Sequence, residues 1–189
     1  MELTRGQEML LNIAEMARED FKTVVFVLGR RAGKGVMIAE IIVREVEKMM
    51  SNDDREDLDG YIYYVTTSYD QANSFSNMLE NRLSGNFDFE KMTRSGATRF
   101  IFAGEKKGVI PSRITIEIST IKNGISFLGK DKDLAIYDDI DSSIDNLHAM
   151  TRTAQCRSIV FRSEYEDSDE QDDVLIVQAP ARNLNPPMT

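Results

Sequence analysis

The chain has 189 residues, 41% of them hydrophobic and 29% charged, with a net charge of −9. That is enough chain for one domain with a sizeable core, and its acidic balance argues against a dedicated DNA-coating protein. One cysteine, Cys156, and one histidine, His148, exclude an internal disulfide framework, argue against a structural zinc site and suit a reducing cytosol. No apolar run approaches the ~20 residues that cross a bilayer, and the opening "MELTRGQEML" is not patterned as a signal peptide. Between Arg82 and Lys132, ten Lys or Arg stand against five Asp or Glu. A solvated surface is the simpler reading of that stretch, and a nucleic-acid face is the alternative.

Leu3 to Ala17 places Leu3, Leu10, Leu11, Ile13, Ala14 and Ala17 near a 3.6-residue period and reads as a helix. Lys22 to Leu28 is a β-branched and aromatic run, the mark of a strand buried on both faces. A glycine loop follows, then a helix from Gly35 to Met50 with Ile38, Ile41, Ile42, Val46 and Met49 on one side. Beyond the charged loop "SNDDREDLDG", Tyr61 to Thr66 reads as a second buried strand, and Ser68 caps a helix reaching about Leu83. "TRFIFA" and "ISFLG" are short strand candidates around Arg113 to Thr120, which alternates strictly and predicts a half-exposed strand. Leu134 to Tyr137 is a buried strand running into acids, Asp145 to Cys156 is helical, and Ser158 to Arg162 is a strand candidate. An acidic loop, "SEYEDSDEQDD", precedes a last buried strand, Val174 to Val177, and a proline-rich tail. Buried strands alternating with helices predict an α/β fold with a mostly parallel central sheet between helices. Ligands in such sheets bind at the carboxyl ends of strands. The glycine loop, the acids after Tyr137 and "QAP" after Val177 all fall there.

The loop "VLGRRAGKG" approximates the phosphate-binding signature G-x-x-x-x-G-K-[ST]. Leu28 occupies the first glycine place, Gly29 follows one position late, and Gly35 stands where a magnesium-ligating Ser or Thr is usual. A phosphate cradle needs inward-facing N–H groups, a helix N-terminus behind them and a lysine. Gly33, Lys34 and the helix from Gly35 meet those needs, Ala32 completes the turn, and Arg30 and Arg31 add charge. The alternative is a strand–turn–helix connection that happens to contain Gly-Lys. In "LAIYDDID", Asp138 suits a magnesium ligand and Asp139 a group that orients or deprotonates water. Asp is one methylene shorter than the Glu common at the second position. In an extended chain Asp141 would face the same side as Asp139 and stand in for it. A polar strand end that caps a helix is the alternative reading.

The order of these motifs resembles the ATPase domain of the large terminase subunit of tailed bacteriophages. "GRRAGKG" is similar to the family's phosphate loop, in which basic residues precede x-G-K and the first glycine is dispensable. "YVTTSYDQANSF", "SFLGKDKDLAIYDDID" and "VLIVQAPAR" resemble its further segments, and the likeness spans nearly the whole chain. It implies one P-loop NTPase domain of ASCE type over residues 1–189, made of an N-terminal helix with an adenine-side segment (1–20), a core (21–180) and a loose tail (181–189). It implies ATP and Mg2+ as cofactors, Gln7 as the adenine reader, and Arg30 as a finger on the transferred phosphoryl group. Gln178, Ala179 and Pro180 would be the motif coupling hydrolysis to movement. It further implies double-stranded DNA, a portal protein and a small terminase subunit as partners, a ring of copies on the portal, and the cytoplasm of an infected bacterium. The family's C-terminal nuclease domain has no counterpart after Pro180. Gly35 and Asp139 depart from the family pattern. They keep two alternatives open, a non-catalytic nucleotide-binding module and a helicase-like nucleic-acid ATPase.

Overall fold

The computed structural model describes residues 3–17, 20–29, 32–51, 59–94, 96–106, 110–122, 133–151, 156–164 and 171–180. In chain order the elements are α1 (Arg5–Met16), β1 (Thr23–Leu28), α2 (Lys34–Ser51), β2 (Asp59–Thr66), α3 (Tyr69–Leu83), β3 (Glu90–Arg94), β4 (Ala97–Lys106), β5 (Ile110–Thr120), β6 (Leu134–Asp138), α4 (Ile144–Thr151), β7 (Arg157–Arg162) and β8 (Val174–Ala179). The strands form one sheet in the order β3-β4-β5-β2-β6-β7-β1-β8. From β5 to β8 every pairing is parallel, and β3 and β4 extend the sheet antiparallel. This is the α/β, mostly parallel architecture that the alternation of buried strands and helices predicts.

Two apolar layers hold the sheet. One face packs Phe26, Leu28, Ile62, Tyr64, Ile116, Ile136 and Phe161 against Leu10 and Leu11 of α1, Ile38, Ile42 and Val46 of α2, and Phe75, Leu79 and Leu83 of α3. The opposite face gathers Val25, Tyr63, Val65, Ala135, Tyr137 and Val160 against Ile144 and Leu147 of α4. Fully burying one such side chain contributes ~1.5–3 kcal/mol, so these layers, more than helix propensity, order the strands. Within the first layer Phe26 stacks on Phe161 at 5.3 Å and Tyr64 on Phe75 at 4.1 Å. These pairs tie β1 to β7 and β2 to α3.

Some expectations change. Residues 113–120 alternate as expected, but β5 is not half exposed. Thr115, Glu117 and Ser119 are as buried as Ile114, Ile116 and Ile118. The reason is position: β5 lies between β4 and β2, and its buried Glu117 finds partners on both neighbouring strands. Glu117 accepts from Arg99 Nε at 2.6 Å and from the Tyr61 hydroxyl. The strand candidate "TRFIFA" is longer than expected and pairs with a strand absent from the sequence reading, Glu90–Arg94. That segment is exposed throughout because it is an edge, where charge discourages further pairing. The predicted helix 145–156 spans Ile144–Thr151. The "ISFLG" strand and the 181–189 tail lie outside the described residues. Among the described residues no helix is long and apolar enough to cross a membrane.

Candidate active site

Three neighbouring parallel strands, β6, β7 and β1, end on the same side of the sheet. β1 runs buried into Leu28, and the chain then turns through Gly29, Ala32 and Gly33. Gly33 has φ 77°, a left-handed conformation that costs glycine nothing and other residues strain. Its carbonyl accepts from Val36 N at 3.0 Å and Met37 N at 3.2 Å, opening the first turn of α2. The helix begins one residue earlier than its apolar period suggests, so Lys34 is its first residue. Gly35 sits inside that turn, and a Cβ there would meet the Met78 methyl of α3 at 3.3 Å.

Lys34 is 14% exposed, and its ammonium donates to Asp139 Oδ2 at 2.5 Å and to Ser163 Oγ at 2.9 Å. Ser163 Oγ in turn donates to Asp139 Oδ1 at 2.9 Å. The three side chains form a closed triangle drawn from α2, the end of β6 and the end of β7. Asp139 is left-handed, with φ 51°, and is the one described non-glycine residue with positive φ. Aspartate tolerates that region better than most residues, and such local strain gathers at functional sites. Its amide donates to the Phe161 carbonyl at 2.9 Å. Arg162 then holds the loop beyond it, through Nη1 to the Ile140 carbonyl at 3.1 Å and Nη2 to the Ser142 carbonyl at 2.7 Å.

Asp138 lies one residue earlier and deeper. Its Oδ2 accepts from the Tyr64 hydroxyl at 2.9 Å, and its Oδ1 is buried without a protein hydrogen-bond partner among the described residues. Burial pushes its carboxyl above the usual carboxylate value, the Tyr64 hydrogen bond pulls it back, Asp139 raises it and Lys34 lowers it. A buried, orphaned carboxylate oxygen is a donor that fits a divalent cation. Among the described residues no three acidic, His or Cys side chains cluster. Asp138 is the one protein carboxylate that would offer such a cation a buried, unpartnered oxygen there among the described residues.

Asp141 does not join the triangle. It is exposed. Asp141 could share a side with Asp139 only in an extended chain, and the left-handed turn at Asp139 ends that geometry. Arg30 and Arg31 lie outside the described residues. Gln7 is buried in α1, its Nε2 donating to the Ala32 carbonyl at 2.9 Å. Gln178, Ala179 and Pro180 sit at the end of the edge strand β8. There they line a groove of about 460 Å3 with Met9, Leu10 and Ile13 of α1. The strand between β1, which leads into the glycine loop, and β6, which leads into the acids, is β7. Ser163, at its end, is the site residue that sequence reasoning missed. "FRS" closes a strand candidate, but only the sheet order puts its hydroxyl between Lys34 and Asp139.

No family model matches the chain, and no curated protein matches it. Solved structures do. An ATPase domain of the large terminase of Thermus phage P74-26, a mutant form, superposes with a TM-score of 0.61 at 11% identity, covering 97% of this chain and 83% of that one. The large terminase of bacteriophage HK97 gives 0.63 at 14% identity, covering 92% and 35%. The large terminase of a thermophilic bacteriophage in complex with ADP gives 0.57 at 12% identity, covering 96% and 46%. The fold is that of large terminase ATPase domains. The chain spans most of the isolated terminase ATPase domain, and about a third to a half of the longer terminase chains.

Within this terminase fold the buried Asp138 carries a stability cost. A carboxyl raised above its unfolded value binds more protons in the folded state. Stability is therefore highest below the unfolded pKa and falls as pH rises through the folded one. Asp138→Asn removes the charge and keeps an acceptor for Tyr64. It is expected to raise the thermal midpoint at neutral pH, by about 2–4 °C per kcal/mol regained. The increment should shrink as the wild type is titrated toward acid. A midpoint unchanged or lowered at neutral pH would count against the assigned cost.

Proposed function

We propose that this chain is the ATP-hydrolysing motor domain of a large terminase, driving double-stranded DNA into a procapsid. The observation that carries this is the Lys34–Asp139–Ser163 triangle beside the orphaned Asp138 oxygen, at the carboxyl ends of adjacent strands. The ADP bound to one structural neighbour supports a nucleotide ligand. In this reading Lys34 exchanges Asp139 for the β- and γ-phosphates of ATP, which frees the Asp139 carboxylate to orient a water and take its proton. That water displaces ADP from the γ-phosphorus, and phosphate leaves. Ser163 keeps Asp139 aimed while Lys34 is engaged elsewhere. Arg30 stabilises the charge that develops on the transferred group. Asp138 would hold magnesium, which when bound would supply charge neutralisation at the phosphates. Double-stranded DNA, a portal protein and a small terminase subunit are the proposed partners. The working form is a ring of copies on the portal in an infected bacterium.

Gly35 favours a second reading, a module that binds nucleotide without turning it over, because it offers magnesium no hydroxyl. Gly35→Ser discriminates the two. The Met78 methyl, the nearest obstacle at 3.3 Å, is the far end of a flexible side chain, so the variant is expected to fold. For an active motor, magnesium-dependent ATP turnover is present in the wild type, and Gly35→Ser lowers the magnesium needed for half-maximal rate several-fold. Wild-type binding of nucleotide without turnover, with turnover restored by Gly35→Ser, would sink the motor reading. Both assays belong with DNA and portal present, and portal binding separates packaging from a helicase-like activity.

A further inference from the structure

Gln7 of α1 reaches the glycine loop directly, through the Ala32 carbonyl. Gln7 is the N3 residue of α1, in a reciprocal capping box with Thr4. The Gln7 amide N–H donates to Thr4 Oγ1 at 3.3 Å, and Gln7 Oε1 accepts from Thr4 N at 2.9 Å. The cap holds the side chain in one direction, and its Nε2 then donates to the Ala32 carbonyl at 2.9 Å. Gln7 is 4% exposed and Ala32 1%. Both ends of the side-chain amide are engaged within the chain.

We infer that Gln7 is a positioning residue for the phosphate loop, acting through the Ala32 carbonyl. This rests on the nucleotide-binding reading above. Peptide geometry dictates this. In a planar trans peptide the C=O and the following N–H point to opposite sides, and no described peptide is cis. Holding the Ala32 carbonyl toward α1 therefore turns the Gly33 N–H away from α1. The next peptide is set the same way from the other side. The Gly33 carbonyl is drawn into α2 by Val36 and Met37, so the Lys34 N–H points out of the helix start. Two consecutive N–H groups are thus oriented as a concave donor pair, the arrangement that binds phosphate oxygens.

The support is rigid because α1 is fixed to the same helix that the loop leads into. Leu10, Leu11 and Ala14 are buried, Glu8 pairs with Arg44 at 2.6 Å, and Glu15 pairs with Lys48 at 3.6 Å. Gln7 therefore measures the loop against α2 itself. Those contacts also mean that α1 stays docked when the Gln7 amide is removed.

Inorganic tripolyphosphate has the phosphates and no base, so it separates the two roles. Its affinity is measured by calorimetry with magnesium, beside those of ATP and GTP, for the wild type, Gln7→Met and Gln7→Leu. Circular dichroism confirms the fold, and the second variant covers failure of the first. A positioning role predicts that tripolyphosphate, ATP and GTP all weaken by a similar factor, about ten-fold, with the ATP-to-GTP ratio unchanged. Loss confined to ATP, with tripolyphosphate unaffected, would make Gln7 a base reader and overturn the inference. Unchanged binding of all three would overturn it equally. A wild type that binds neither ATP nor tripolyphosphate would remove the nucleotide reading and this inference with it.

Discussion

Alanine at Lys34 is expected to lower magnesium-dependent ATP turnover by about 10²–10³-fold, the usual loss when one preorganised donor to a developing charge is deleted. The ammonium is only 14% exposed, anchored at the start of α2, and already within hydrogen-bond reach of two groups from β6 and β7. It needs no large movement to exchange a carboxylate for a phosphate. Its removal has a second effect: Lys34 is one of the groups that lower the Asp138 carboxyl, and Asp139 is one that raises it. Without the lysine, two neighbouring carboxylates face each other uncompensated. Nucleotide affinity should fall together with turnover. Asp139→Asn separates the functions, since it keeps a left-handed-tolerant residue and a partner for Ser163 while removing the base. It should bind nucleotide and lose turnover. Turnover undiminished in Asp139→Asn would exclude the proposed role for that carboxylate, and undiminished turnover in Lys34→Ala would remove the active-site assignment.

The second large effect concerns stability. Arg99→Ala is expected to destabilise the domain by about 3–5 kcal/mol, because it strands a buried carboxylate. Glu117 is fully buried, directly opposite Arg99 across the β4–β5 ladder and opposite Tyr63 across β2–β5. It accepts from Arg99 Nε and from the Tyr61 hydroxyl, while its Oε1 has no protein hydrogen-bond partner among the described residues. Burial, with the nearby carboxylate, holds the Tyr61 hydroxyl above its ordinary value, so it remains a donor throughout the physiological range. The pair contributes less net stability than its breakage costs, since Glu117 was fully desolvated to make it, while Arg99 stays partly in water. Replacing both by leucine should therefore recover much of the loss. Urea unfolding of the two single variants and the double variant measures this. Additive losses in the double variant would show that the pair is not coupled.

Much of the site is legible locally. Val24 to Leu28 announces a buried strand by composition, and Ile38, Ile41, Ile42 and Val46 announce a helix by period. The glycine-rich turn between them must therefore lie at a strand's carboxyl end. The same reasoning places Asp138 and Asp139 at the end of "LAIY". The charged β3 was illegible because an edge strand exposed on both faces has no apolar alternation to read. The buried polar face of β5 was illegible for the opposite reason. Alternation reports which residues share a face, but not whether water or another side chain meets it.

Sequence by itself determined most of the elements, their order, the parallel α/β class and the placing of the glycine loop, Lys34 and the acids at strand ends. These follow from periodicity and local conformational preference, which act over a few residues. Only the tertiary structure decided that β7 separates β1 from β6, and hence that Ser163 completes the Lys34–Asp139 contact. It alone decided that the chain turns left-handed at Asp139 and leaves Asp141 in solvent, and that Gln7 faces the Ala32 carbonyl. Each of these depends on which strands become neighbours and where helices dock. That is settled by burying both faces of the whole sheet at once, a sum over contacts distant in sequence that no local pattern encodes.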